Sequence, residues 1–197
     1  RSWVTFDHAR ITRVVADIAL TNVDVTLADN LQPLTLASLQ GRVAQRVWGT
    51  DDGVGGQEFE ATQLALVTTS KQAIAPLDFK LRTTRARGAA LARTQIQANR
   101  VDVSTLAWLF THVPFARELR ETVSKHAIAG TLTDVTASWP GAAPELKTLT
   151  LKTKFQALAS AAQAAAPQEG ETIKRAIGLP GFENLSGTID MADGAGS

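Results

Sequence analysis

The most constraining feature of this chain is a strict alternation of apolar and polar residues over residues 148–158. Leu149, Leu151 and Phe155 occupy alternate positions, and Lys152 and Lys154 fall between them. Because successive side chains of a β-strand point to opposite faces, this period of two predicts a strand with one dry face and one wet face. A chain built from such strands has to cover their dry faces.

Similar alternation predicts two further strands in the first half of the chain. One spans residues 77–84 and is introduced by Pro76, a residue that suits a strand start. The other contains Leu64 and Leu66, between a glycine-rich turn at 53–56 and a polar turn at 70–72. The remaining strands are expected over residues 18–27, 34–47, 90–101, 128–139 and 185–191. These segments make the chain mainly β, with a few short helices (α+β).

Two local features interrupt this pattern. Within residues 18–27 the apolar phase changes between Leu20 and Val23, which predicts a bulge near Asn22. Helical spacing is found near residues 104–125, where Ser104 is expected to cap a first helix and Pro114 to end it and open a second. A weaker third helix is expected over residues 169–177.

Composition argues against several classes of function. The 20 Lys and Arg residues balance the 19 Asp and Glu residues, so no net charge attracts nucleic acid. The chain has no cysteine and no apolar stretch of about 18 residues that would span a membrane. Its histidines, His8, His112 and His126, lack metal-ligand spacing, so a surface or capping role is expected for each. No catalytic residue, metal or cofactor is predicted, and the chain is not expected to be an enzyme.

Several short motifs follow one another in a distinctive order. They are Pro33-Leu34-Thr35-Leu36, Leu39-Gln40-Gly41-Arg42-Val43, Leu64-Ala65-Leu66, Val101-Asp102-Val103-Ser104-Thr105-Leu106, Val113-Pro114, Gly130-Thr131-Leu132 and Leu179-Pro180-Gly181-Phe182-Glu183-Asn184-Leu185-Ser186-Gly187. The last is the most specific, and the order matters more than any single motif. In this order the chain resembles the middle region of the AsmA-like proteins of the YhdP type.

The resemblance implies an extended, curved antiparallel sheet with a hydrophobic concave face. It also implies a periplasmic location in a Gram-negative bacterium, with residues 1–197 forming one fragment of a larger β-rich domain whose inner-membrane anchor lies outside the fragment. A start at Arg1 and a single methionine, Met191, likewise lead us to expect a piece of a longer protein. The implied function is phospholipid transport between the inner and outer membranes. The implied partners are phospholipid acyl chains and neighbouring segments of the same chain.

On this interpretation, alternate apolar residues of three strands line a lipid-binding groove. They are Leu64, Leu66, Leu77, Phe79, Leu81, Leu149, Leu151 and Phe155. Two sheets that cover each other in a closed sandwich would bury the same residues. The alternative function is therefore a structural or protein-interaction β module of the cell envelope that binds no lipid, and the residues alone leave both possibilities open.

Overall fold

The structure is a computed structural model. It describes residues 1–8, 10–27, 29, 31–49, 54–85, 91–112, 128–141, 144–145, 147–162, 180–192 and 195–196. In this part of the chain there are ten strands and one helix. In chain order they are β1 (Ser2–Asp7), β2 (Arg10–Val25), β3 (Leu34–Gly49), β4 (Gly55–Thr68), β5 (Ala73–Arg85), β6 (Leu91–Asp102), α1 (Val103–His112), β7 (Ala129–Trp139), β8 (Thr150–Ser160), β9 (Phe182–Ala192) and β10 (Ala195–Gly196).

All ten described strands lie in one open sheet, and their order in the sheet is their order in the chain. Each strand pairs antiparallel with the next one, so the sheet is a simple meander. The mainly β, open and curved antiparallel fold expected from the sequence is confirmed. Most strands run for 11 to 16 residues, and a broad sheet of this kind presents two large faces.

Irregular positions within the strands account for the curvature of the sheet. Asn22, Gln63, Asp134 and Ala157 lie in strands but have φ between 51° and 53°. Such bulges bend a strand and increase its twist. A neighbouring side chain satisfies the displaced backbone N–H at two of them: that of Gln63 donates to Asp78 Oδ1 at 2.6 Å, and that of Ala157 to Ser186 Oγ at 3.2 Å. At Asn22, where a bulge was predicted, the backbone is irregular, but the register between β2 and β3 does not shift there.

The predicted strands are present, but several of their boundaries differ from expectation. Pro76 lies inside β5, which begins at Ala73. The β4–β5 register shifts between the pairs Leu64↔Leu77 and Leu66↔Ile74, and a residue without an N–H is tolerated at such an irregularity. Gly55 and Gly56 belong to β4 and not to a turn, because both pair with β3 and with β5.

The first strand and the first half of β2 were not expected from the sequence. Strand β1 lies at the edge of the sheet and is exposed along its whole length. Apolar residues occur on both of its faces, with Trp3 opposite Val15 and Val4 opposite Val14. The alternation of apolar and polar residues that marks the inner strands is therefore weak in β1.

Helix α1 begins two residues before its predicted start. The side chain of Asp102 caps it, since the Thr105 backbone N–H donates a 2.8 Å hydrogen bond to Asp102 Oδ1. Ser104, the predicted cap, lies inside the first turn. His112 ends the described helix and is buried, so of the two roles expected for it, surface or capping, the surface role is wrong. Its Nδ1 lies 2.9 Å from the carbonyl oxygen of Trp108. The predicted helices after Pro114 and over 169–177 lie outside the described residues.

The assignment of Asp102 as the N-terminal cap of α1 can be tested directly. We expect Asp102→Ala to reduce the free energy of unfolding by about 0.5–2 kcal/mol, because the N–H of Thr105 loses its acceptor. Ser104→Ala, two residues away and exposed, should change it by about 0.5 kcal/mol or less. Urea denaturation followed by circular dichroism measures both. A larger loss for Ser104→Ala than for Asp102→Ala would contradict the assignment.

Candidate functional site

The register of the sheet aligns apolar residues in one row that crosses nine strands. In each neighbouring pair of strands, the residues of this row lie directly opposite each other. The row, called the apolar row below, consists of Val4, Val14, Gln45, Phe59, Leu81, Ile96, Ala137, Leu151 and Met191. Gln45 is its only polar member. Residues directly opposite in an antiparallel pair lie on the same face, so the row defines an apolar face of the sheet.

One residue further along the same strands, the pairing aligns a second row whose members are all polar. This polar row consists of Thr5, Arg13, Arg46, Glu58, Arg82, Gln95, Ser138 and Thr150. Because neighbouring residues of a strand point to opposite faces, the polar row lies on the other side of the sheet, the polar face. The two faces therefore differ in chemistry across almost the whole sheet.

All eight residues predicted to line a groove lie on the apolar face. Leu81 and Leu151 belong to the apolar row itself. Phe79 lies opposite Ala61 and Ala98, and Phe155 lies opposite Leu132. The others are placed by pairing or by alternation: Leu64 opposite Leu77, Leu66 opposite Ile74, and Leu149 two residues before Leu151. That these residues contact lipid remains a prediction.

Helix α1 covers one part of the apolar face. Trp108 contacts a core cluster formed by Leu36, Leu66 and Ile74. Leu36 is the most deeply buried of these, with 1% of its surface exposed. Leu66 lies seven residues from Phe59 on β4, a distance of about 23 Å at 3.3 Å per residue. The helix is therefore anchored well away from the apolar row, and Leu66 is a core residue beneath it.

Another part of the apolar face remains accessible to solvent. The exposed fractions are 44% for Val4, 46% for Val47, 37% for Phe59 and 48% for Leu185. None of these four was among the predicted lining residues. Alternation within Glu58-Phe59-Glu60 could have indicated Phe59, because a phenylalanine between two glutamates in a strand points away from them. Val47 and Phe59 lie on the neighbouring strands β3 and β4, and exposed apolar surface of this kind marks a binding site for a protein, a lipid or a membrane.

Ion pairs join the strands on the polar face. Lys152 Nζ lies 2.9 Å from Asp190 Oδ2, and Lys154 Nζ lies 2.9 Å from Asp134 Oδ2. Nearer the opposite edge of the sheet, between β2 and β3, Arg42 donates to both carboxylate oxygens of Asp17, at 2.6 and 3.1 Å. These side chains are substantially exposed, so each pair contributes little to stability. Their presence shows that this face is built for contact with water.

The Asp17–Arg42 pair gives a prediction for pH titration. The hydrogen bond from Arg42 holds the pKa of Asp17 below its ordinary value. Because the pKa is lowered in the folded state, the pair stabilises the fold at neutral pH, and this contribution is lost as the pH falls through the folded pKa. We expect Arg42→Gln to raise the pKa of Asp17, as measured by NMR titration of its carboxyl carbon. Lys152→Gln is the control; an unchanged Asp17 pKa in Arg42→Gln would contradict the assignment.

Two tryptophan side chains on the polar face are in contact with arginines. The Arg82 guanidinium lies 4.9 Å from the centre of a Trp48 ring, and that of Arg42 lies 5.5 Å from a Trp3 ring. Both distances are in the range of cation–π contacts. Trp3 is nevertheless 48% exposed, so the polar face also presents some aromatic surface near the edge of the sheet.

Two motif glycines permit close contacts between strands. Gly41 has φ +150°, and a Cβ there would lie 2.9 Å from the Leu64 Cα. A Cβ on Gly187 would lie 2.8 Å from the Phe155 ring, which occupies that space on the apolar face. Glycine is therefore required at these two positions because a side chain would collide with the neighbouring strand or ring.

Comparison with known protein families assigns the chain. The family described as YhdP protein matches over residues 1–197, which is the entire sequence. The chain belongs to the YhdP family. This is a family of bacterial envelope proteins, and the resemblance noted from the short motifs is confirmed. No curated protein and no solved structure matches this YhdP-family chain.

Two further properties of this YhdP-family chain bear on its function. None of the helices in the described ranges is long and apolar enough to cross a bilayer. The same residues contain no group of three or more His, Asp or Glu side chains that could hold a metal ion. The feature left to explain is the apolar face itself, with its row across nine strands.

Proposed function

We propose that this chain is a segment of a periplasmic scaffold that carries phospholipids between the inner and outer membranes along its apolar face. The observation that carries the proposal is the apolar row from Val4 to Met191, which crosses nine neighbouring strands. Strands lie about 4.8 Å apart, so the eight steps of this row span about 38 Å. Lipids would move across the strands, with acyl chains on the apolar face and headgroups in water.

The energetics of burial favour an apolar occupant. Each methylene group moved from water onto an apolar surface contributes about 0.8 kcal/mol. Exposed residues such as Phe59 and Val47 would be covered at the same time. The polar face is less suited to an apolar occupant, because most of the row that crosses it is polar and its arginines, lysines and carboxylates are hydrated or paired with one another.

The mechanism is passive. Acyl chains bind by burial of apolar surface, and no residue is required to act as acid, base or nucleophile. Neighbouring segments of the same protein would continue the apolar face, and the inner-membrane anchor would lie outside residues 1–197. On this proposal the chain is not an enzyme and needs no cofactor.

Photo-crosslinking in cells tests the proposal in the full-length protein. A photoreactive residue is placed at Leu81, Leu151 or Phe155 on the apolar face, with Arg82 and Lys152 as matched controls on the polar face. We expect phospholipid adducts at the first three positions and not at the controls. Adducts at none of the positions, in a folded and abundant protein, would contradict lipid transport and favour a structural envelope module.

A further inference from the structure

Helix α1 and the sheet line a partly open cavity of about 180 Å³ on the apolar face. Leu106 and Leu109 line it from the helix, and Leu77, Phe79 and Ile96 line it from β5 and β6. These side chains are aliphatic or aromatic, and the polar residues of the lining, Arg100, Asp102 and Thr105, contribute little of its accessible surface. An engineered apolar cavity of about 150 Å³ in another protein remains dry and binds benzene. A cavity of this size and lining therefore suits a hydrocarbon.

The cavity exists because α1 is anchored to one side of it. Trp108 contacts the core cluster, which lies on β3, β4 and β5. On β6, the cavity is lined by Ala98, which carries only a methyl group. Phe79 and Val135, the residues opposite Ala98 on the two neighbouring strands, are both larger. The small side chain of Ala98 thus leaves unfilled space between the helix and the sheet.

The cavity adjoins the exposed part of the apolar face. Ile96 lines the cavity and is also a member of the apolar row. Phe79 lines it as well, and its ring centre lies 5.7 Å from that of Phe59, which is 37% exposed. A hydrocarbon chain that lies on the face at Phe59 can therefore extend past Phe79 without leaving apolar surroundings.

We propose that this cavity binds the methyl end of one phospholipid acyl chain. The inference rests on the proposed function and adds an orientation to it: the chain end lies beneath α1, and the ester end lies toward Phe59. Helix α1 then acts as an end stop that prevents the lipid from sliding further along β5 and β6. The ligand class follows from the lining, whose accessible surface is mostly apolar although Arg100, Asp102 and Thr105 also border it.

Position-specific photolabelling of the full-length protein tests this orientation. One probe is a phosphatidylethanolamine with a diazirine on the terminal carbon of an acyl chain; the other has the diazirine next to the ester. Adducts are mapped by mass spectrometry. The terminal probe should label Ile96 and Leu106, and the ester-side probe should label the region of Phe59. Ala98→Ile, which fills the cavity, should reduce terminal-probe labelling of Leu106 at least fivefold and leave labelling near Phe59 unchanged.

The outcomes separate this inference from the proposed function. Terminal-probe adducts confined to the exposed part of the face would overturn the cavity site and leave lipid transport standing. No adducts from either probe would contradict both proposals. If Ala98→Ile does not fold, as judged by circular dichroism, the space beneath α1 does not exist as described, and the cavity site is likewise overturned.

Discussion

Leu36→Ala should reduce the free energy of unfolding by about 2–5 kcal/mol, the range for truncating a fully buried leucine. Leu36 is 1% exposed and packs with Leu66 and Ile74 beneath Trp108. Its loss would leave a void at the point where α1 is anchored to the sheet, and the surrounding backbone can relax only partly. Urea denaturation followed by circular dichroism measures the change.

The matched control lies on the same face but outside the core cluster. Leu20 is 47% exposed, so Leu20→Ala should cost about 1 kcal/mol or less. Similar losses for the two substitutions would mean that the apolar face has no distinct core beneath α1. The division into a covered part and an exposed part would then be wrong.

Phe59→Glu should strongly reduce lipid binding with little effect on folding. Phe59 is a partly exposed member of the apolar row, so a glutamate can be hydrated in the empty protein. An acyl chain bound over this carboxylate would displace its hydrating water. Removing water from an unpaired charge costs several kcal/mol. We expect phospholipid adducts at Leu81, directly opposite Phe59, to fall about tenfold or more. Photo-crosslinking in cells measures this.

Two controls separate polarity from shape. Phe59→Leu keeps the surface apolar and should retain most adducts. Glu58→Gln changes the charge on the polar row and should leave the adducts unchanged. If Phe59→Glu folds and retains wild-type adduct levels, lipid does not follow the apolar row at β4, and the proposed route is wrong there.

The inner strands could be predicted from the sequence because each has one wet and one dry face. Strand β8 is the clearest case: lysines alternate with Leu151, Thr153 and Phe155. The edge strand β1 could not be predicted in this way, since apolar residues occur on both of its faces. The helix boundary was misplaced because Asp102 and Ser104 are both good capping residues, and only the backbone geometry decides between them.

The sequence predicted that the candidate site is an apolar strand face, but not which residues of the other strands extend it. Alternation placed Leu77, Phe79 and Leu81 on one face of their strand, and the structure agrees. Which residues of other strands extend that face depends on register, and bulges such as the one at Gln63 shift the register by amounts that alternation does not reveal. The cavity beside Ala98 was therefore not foreseen, whereas alternation alone could have indicated Phe59.

The sequence by itself determined that this chain forms amphipathic strands, because side-chain alternation is a local property of a β-strand. Its short motifs also indicated the YhdP family. Only the tertiary structure decided that the apolar residues of nine strands form one row, since that requires the register of eight strand pairs. It also decided which part of the face α1 covers, because that depends on where Trp108 packs in space.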